Sequence, residues 1–325
     1  MKKQPKIEIS SRQNLGLIAP LKMPFSIEMD VSSYCNLNCQ FCFRNSAKNC
    51  NRINQCFMNF DLFKKIIDEI RLFDNPVKKL KLSWGGEPLM NEQLPEMISY
   101  AKDKGVAECI EIVTNAVALT HELSDKITHA GLDRINISIN GIDDEDYKKC
   151  TKRNVDTSRL YEEIKYLFEN KKKTYLYIKL SNIGYSEDKI QKFYEMYGEF
   201  ADSIFVESIL DDAFEGGIGL EGRHGAYGQI LGNKKVCPFL FTRLMINADG
   251  RVSLCCMDWA CDVSIGDCNK STVQSIWNSE LLRNIQRLHL EKRKDEFPIC
   301  QKCNAIDAFT VDDIDAYAHD ILGRL

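Results

Sequence analysis

The sequence predicts an α/β protein: a parallel sheet or barrel of about six strand–helix units, followed by a small cysteine-rich α+β module. Three observations predict it. From Phe25 to about position 215, short segments of alternating hydrophobicity take turns with segments of helical period. Glycines and small polar residues collect where the strands end, which in such folds is the ligand-binding rim. After Cys237 the alternation gives way to a hairpin, an amphipathic helix and cysteines at ligand-like spacing. At 325 residues the chain has room for both parts. With 44% apolar and 28% charged residues it is ordinary for a soluble globular protein. A net charge of −4 gives no footprint for nucleic acid or an anionic membrane. No run of 18 apolar residues is present, so no transmembrane helix is expected. Fourteen cysteines, with no apolar stretch after Met1-Lys2-Lys3 to act as a signal, point to metal sites in a reducing cytoplasm rather than to disulfides.

Taken in order, residues 1–24 form a polar lead-in with a weakly strand-like piece at 6–10. Residues 25–31 alternate as a strand and run into Cys35-Asn36-Leu37-Asn38-Cys39-Gln40-Phe41-Cys42. A helix is expected over 61–70, with Asn59 or Asp61 as cap. A strand over 79–84 ends on Gly85-Gly86-Glu87-Pro88, and helix 92–104 stops at Gly105. Strand 109–113 ends at Thr114-Asn115, and helix 121–130 stops at Gly131. Strand 134–139 ends at Asn140-Gly141. Helix 160–170, strand 175–180, helix 187–200 and strand 203–208 complete the alternation. Glycines crowd between 214 and 232, either as a flexible linker or as a loop lining the substrate mouth with Glu221, Arg223 and His224. Residues 243–247 and 251–254 flank Asp249-Gly250 as a hairpin. Helices are expected over 279–293 and 311–322.

Three cysteines spaced CxxxCxxC have no fourth ligand nearby. They suit a cubane cluster with one open iron better than a closed zinc site, which usually takes four ligands. With aromatic Phe41 before the third cysteine, the spacing resembles the radical S-adenosyl-L-methionine (SAM) superfamily. Gly85-Gly86-Glu87-Pro88 is similar to the family's GGEP motif, which binds the amino group of SAM. Thr114-Asn115-Ala116 resembles its Thr-Asn-Gly, and Ser138-Ile139-Asn140-Gly141 its Ser-(Ile/Leu)-Asp-Gly, with Ala116 and Asn140 departing from the pattern. The resemblance implies a [4Fe–4S] cluster on Cys35, Cys39 and Cys42. It also implies SAM contacts from Phe41, Gly85, Gly86, Glu87, Pro88, Asn115, Ser138 and Asn140. Ordinary strand-to-helix turn chemistry is the competing account of these strand ends. Lys179 and Ser181 could reach the same ligand, or Lys179 could be one polar side chain on a core strand.

Cys237, Gly250 and Cys255, followed by Cys300-Gln301-Lys302-Cys303, resemble the SPASM domains that hold auxiliary clusters. Phe309 and Asp313 stand where ligands of a second cluster would continue. The resemblance therefore implies the truncated twitch form, with one auxiliary [4Fe–4S] cluster on Cys237, Cys255, Cys300 and Cys303. A zinc ribbon would use the same four thiols. Cys256 adjoins Cys255 and could replace it. Cys261 and Cys268 read as free buried thiols, and Cys50, Cys56, Cys109 and Cys150 as packing residues.

The implied organisation is a lead-in (1–24), a partial (β/α)6 TIM-like barrel (25–215), a glycine-rich bridge (216–236) and a twitch-type module (237–325). The implied activity is reductive cleavage of SAM, then hydrogen abstraction from a small-molecule or peptide substrate. An external reductant such as flavodoxin or ferredoxin would supply the electron. Oxidation of a secondary alcohol on a sugar or cyclitol leads, by likeness to the family's aminocyclitol dehydrogenases. Peptide modification follows, because 24 residues before the barrel are too few for a leader-peptide domain. A non-catalytic electron-transfer protein comes last, since the SAM-site residues are kept. Neither a general base nor the substrate ligands can be assigned.

Overall fold

The computed structural model describes residues 2–6, 12–46, 51–208, 225–230, 232–301 and 303–325. Its strands are β1 (Lys2–Lys3), β2 (Ser26–Met29), β3 (Lys79–Lys81), β4 (Ile110–Thr114), β5 (Arg134–Ile139), β6 (Tyr175–Asn182), β7 (Ser203–Ser208), β8 (Arg243–Ile246), β9 (Arg251–Ser253) and β10 (Ser264–Asp267). They form one sheet in the order β1-β7-β6-β5-β4-β3-β2-β8-β9-β10. The six strands β2 to β7 are parallel and sequential, as the strand–helix alternation requires of a partial (β/α)6 barrel.

Two joins were not legible in the sequence. β8 pairs in parallel with β2, Ser26 opposite Arg243 and Met29 opposite Ile246, so the cysteine-rich module continues the barrel sheet. The expected hairpin is present as β8 and β9, antiparallel, with Gly250 at φ +90 in its turn. At the other edge Lys2–Lys3 pairs with Ser203–Ile204, whereas the strand was expected at 6–10. Of that stretch only Lys6 lies among the described residues.

Helices form where caps and periodicity agree. Phe60–Ile70 starts on Asn59, whose side chain accepts from the N–H of Asp61 (2.8 Å) and Leu62 (3.2 Å). It buries Phe63, Ile66, Ile67 and Ile70 at helical spacing, each contributing roughly 1.5–3 kcal/mol. Leu94–Lys104 ends on Gly105 in the left-handed region. His121–His129, Thr157–Asn170, Glu187–Tyr197 and Glu280–Leu290 lie where expected. Thr157–Asn170 begins earlier than 160 because Asp156 caps it. The helix Asp144–Thr151 went unread: it is short and polar, and only its Asp143 cap announced it. The last helix starts at Ala318 and not near 311. Asp313 accepts the Asp315 N–H, and the Asp315 carboxylate accepts from Lys235 and Val236, so local side chains take the place of helix hydrogen bonds.

The sheet has two chemically different faces. One presents Ile27, Met29, Leu80, Ile112, Ile135, Ile137 and Ile178, fully buried against Phe63, Ile67, Met97, Ile164 and Phe193 of the helices. The other presents Glu28, Lys81, Glu111, Asn136, Tyr177, Lys179 and Glu207; Lys81 bonds to Glu28, and Tyr177 and Lys179 bond to Glu207, across the strands, while Glu111 pairs with Lys6 and Lys79. Because strand side chains alternate, this second face is the inside of the barrel. Of the glycine-rich stretch, Gly225, Gly228 and Gly232 are described; Gly216, Gly217, Gly219, Gly222, Glu221, Arg223 and His224 lie outside the described residues. Among the described residues no helix is long and apolar enough to cross a membrane.

Candidate active site

The C-terminal ends of β2 to β5 converge on the cysteine loop. The unread helix Asp144–Thr151 anchors that loop: Asn38 N–H donates to the Thr151 carbonyl (3.0 Å) and Gln40 N–H to that of Cys150 (2.8 Å). Cys35, Cys39 and Cys42 are half-buried, and Phe41 is half-buried between them. Burial raises all three thiols, Cys42 to about 11; neighbouring thiols add to the rise at Cys39 and Cys42, and Glu87 adds to it at Cys35. Binding to iron as thiolates would reverse that penalty. Two carboxamides face the sulfurs: Asn115 Nδ2 at 4.0 Å from Cys35 Sγ, and Asn140 Nδ2 at 3.9 Å from Cys39 Sγ. Asn140 Oδ1 is buried and has no hydrogen-bond partner among the described residues. Ser138 lies on the barrel's inner face one strand step before it, opposite Lys179.

The Gly-Gly turn has a reason of its own. A Cβ on Gly86 would stand 2.3 Å from the carbonyl oxygens of Ser32 and Tyr34, and one on Gly85 2.6 Å from Asp30 Oδ2. The turn is therefore pressed against the backbone just before Cys35. Asp30 Oδ1 accepts the Gly85 N–H at 3.0 Å, and Arg44 donates to the Gly85 carbonyl. Burial pushes the Asp30 carboxyl up to about 6. Glu87 is buried: its Oε1 accepts from Thr114 Oγ1 (2.6 Å) and Leu89 N–H (3.0 Å), its Oε2 from Asn115 N–H (2.8 Å). Pro88 opens the short turn Pro88–Met90 that Glu87 caps. Lys179 points inward and pairs with Glu207 at 2.5 Å.

In the second cysteine set, Cys237 and Cys300 are buried, and Cys255 and Cys303 are half-buried. His289, on helix Glu280–Leu290, bridges two of them. Cys237 N–H donates to Nδ1 at 3.3 Å, which leaves Nε2–H to face Cys300 Sγ at 3.4 Å. Burial lowers this imidazole to about 4, so it is neutral. Cys255 Sγ accepts from Met257 N–H at 3.4 Å; burial raises its thiol, and Cys256, Cys237 and Cys303 add to the rise. Cys256 lies beside Arg243, Glu28 and Lys81 as well as Cys303, toward the barrel interior. Cys261 and Cys268 are buried among other residues. The indole of Trp259 lies between Phe43 of the cysteine loop (centroids 3.2 Å apart) and Trp84 of the Gly-Gly turn (5.0 Å), linking the two sites. Among the described residues no three acidic, His or Cys side chains are arranged to grip a single ion. Thiols set apart, one per iron, are what clusters use.

A parallel barrel with a three-cysteine loop at its ligand rim and a second thiol set alongside defines an iron–sulfur enzyme that uses SAM. The chain belongs to the radical SAM superfamily, whose sequence profile matches residues 29–196, and residues 237–304 match the iron–sulfur cluster-binding SPASM domain. It accordingly carries a SAM-binding [4Fe–4S] cluster and auxiliary iron–sulfur chemistry. It is 36% identical over 126 residues to a probable GTP 3′,8-cyclase of Methanococcus maripaludis, a match spanning 39% of this chain and 40% of that protein. Among solved structures it is similar to BtrN in complex with AdoMet and 2-DOIA (TM-score 0.59, 14% identity, 90% of this chain and 95% of that one). It is also similar to Streptococcus suis SuiB bound to the precursor peptide SuiA (TM-score 0.65, 16% identity, 88% and 75%). At these identities the two structures share its fold.

Asn36, which accepts from Asn115 Nδ2 (2.8 Å), Tyr147, whose hydroxyl accepts from Asn140 N–H (3.3 Å), and Asp30, Arg44, Trp259 and His289 were missed by sequence reasoning. Asp30 continues the polar face of β2 after Ser26 and Glu28, which is a signal. His289 on a helix face carries none, because its partners lie 52 and 11 residues away.

Proposed function

We propose that this enzyme oxidises a secondary alcohol on a sugar-like substrate held inside the barrel, in the cytoplasm, with electrons entering from a flavodoxin or ferredoxin. When bound, SAM and its cluster supply a 5′-deoxyadenosyl radical that takes a hydrogen atom, and the auxiliary cluster supplies an electron acceptor. The observation that carries the reading is the continuity of β2 with β8. It brings the cysteine-rich module alongside the barrel's inner face, where Cys256, next in sequence to the proposed ligand Cys255, neighbours Arg243, Glu28 and Lys81. A substrate radical formed in the barrel becomes a ketone by losing its hydroxyl proton and one electron. The module beside it supports that outcome better than a redox-neutral one, which needs no net acceptor.

The chain's own residues have the following proposed tasks. Cys35, Cys39 and Cys42 hold the SAM-site cluster, with Asn115 and Asn140 orienting toward their sulfurs. Gly85, Gly86, Glu87 and Pro88 form the turn that receives the SAM amino group, Phe41 and Ser138 flank the ligand, and Asp30 fixes the turn. Cys237, Cys255, Cys300 and Cys303 hold the auxiliary cluster, with His289 donating to Cys300. The SAM and 2-DOIA in BtrN's complex agree with a small-molecule chamber, and the peptide in SuiB's is the alternative. Turnover of candidate substrates in deuterated buffer with mass analysis tests the reading. A product two hydrogens lighter is expected; an isomer carrying a solvent deuteron, or loss of water, sinks it.

A further inference from the structure

His289 is a buried imidazole whose place is fixed from two sides. It lies one helical turn after Gln286, on the same face of helix Glu280–Leu290, and both side chains are buried. Both reach the turn that Cys237 opens. Gln286 Nε2 donates to the Leu240 carbonyl (2.8 Å), and His289 Nδ1 accepts the Cys237 N–H (3.3 Å). Leu282, Ile285 and Leu290 of the same helix belong to the apolar core, so packing as well as hydrogen bonding holds the ring in place.

A backbone N–H can only donate, so Nδ1 must present its lone pair to Cys237. The single proton of the neutral ring then sits on Nε2, which faces Cys300 Sγ at 3.4 Å. Among the described residues His289 is the side chain that donates to this thiol set; Met257 supplies a backbone N–H to Cys255. The charges around Cys300 act in both directions. Lys294, whose Nζ donates to the Cys303 carbonyl (3.2 Å), favours a negative sulfur, and Asp258 and Asp295 oppose it. A directed N–H bond acts in one direction only. A cluster held by four thiolates gains a negative charge when it is reduced, and a donor on one of its sulfurs favours that reduced form.

We propose that His289, through its Nε2–H bond to Cys300, raises the reduction potential of the auxiliary cluster and so fits that cluster to accept an electron. The inference rests on Cys237, Cys255, Cys300 and Cys303 holding a [4Fe–4S] cluster, and it deepens the oxidation reading. The substrate radical gives up its hydroxyl proton and one electron, and the electron enters the cluster whose reduced form His289 stabilises.

Redox titration of the anaerobically reconstituted full-length enzyme, followed by electron paramagnetic resonance, tests this. The SAM-site cluster is recognised by the change that SAM makes in its signal, which leaves the other signal to the auxiliary cluster. His289→Leu should cut the ratio of reduced to oxidised auxiliary cluster about tenfold at a fixed potential, a fall of about 59 mV for one electron, at unchanged iron content. The SAM-site potential should stay where it is. His289→Gln, which keeps an N–H donor, should shift the auxiliary potential less. In enzyme carrying nitrogen-15-labelled histidine, the reduced auxiliary cluster should show the weak nitrogen coupling of a hydrogen-bonded ring. An unshifted potential in His289→Leu overturns the inference, and so does a shift in His289→Gln as large as that in His289→Leu. If His289→Leu loses the cluster, the labelled enzyme decides: no nitrogen coupling, or the strong coupling of a coordinated ring, overturns the inference. Zinc bound there in place of iron overturns the cluster assignment with it. A product no lighter than the substrate, with the potential shifted as expected, overturns the oxidation reading alone.

Discussion

At Glu87 burial and hydrogen bonding pull in opposite directions. Burial pushes its carboxyl up to about 7, while the donors Thr114, Asn115 and Leu89 favour the ionised form. A carboxylate offers about four acceptor positions. Three are filled, which leaves one for a cationic donor such as the SAM amino group. Glu87→Ala should weaken SAM binding by about 1.5–3 kcal/mol, roughly one to two decades, without loss of iron; unchanged affinity by calorimetry would reduce Glu87 to a turn former. Glu111 behaves differently. Burial alone would raise it, but Lys6, Lys79 and Lys81 outweigh that and hold it well below the ordinary carboxylate range. Its folded value is depressed, so its contribution to stability is present above the unfolded value and is lost as pH falls through the folded one. Glu111→Gln should cost about 2 kcal/mol at neutral pH, discounted because Lys6 and Lys79 are partly exposed. The gap from wild type in melting temperature should narrow below about pH 4. A gap that stayed constant well below pH 4 would count against this pairing.

At the scale of elements, the barrel and the cysteine-rich module meet as neighbouring strands. β8 pairs with β2 along its full length, and Leu244 and Ile246 join the same apolar core as Ile27 and Met29. Strands that share a ladder and a core open together. Native-state hydrogen exchange should therefore give the amides of Arg243–Ile246 and Ser26–Met29 the same opening free energy. Early exchange of β8 while β2 stays protected would mean that the module opens independently. The helix Asp144–Thr151 shows how an element of little hydrophobic weight can matter: its last carbonyls fix the cysteine loop.

For the whole molecule, the two thiol sets lie in different parts of the chain and share no residue. Changing Cys35, Cys39 and Cys42 together to Ala should remove one cluster and all SAM cleavage and leave the other. Iron should fall from about eight per chain to about four. Complete loss of iron from that variant would show that the sets do not load separately.

The sequence by itself determined the alternation of strand and helix, the caps at Asn59 and Gly105, and the turn at Gly250. It also determined both cysteine spacings and the strand ends that face them. These are matters of nearest neighbours, where period, capping chemistry and left-handed backbone are decided within a few residues. Tertiary structure alone decided that β8 extends the barrel sheet, that His289 bridges Cys237 and Cys300, and that Trp259 reaches between Phe43 and Trp84. It also decided that Lys6 meets Glu111 and Arg243 meets Glu28, partners 105 and 215 residues apart. Strand order and register bring such pairs together. A charged residue in a strand shows only that one face is polar; its partner is fixed by which strand lies beside it.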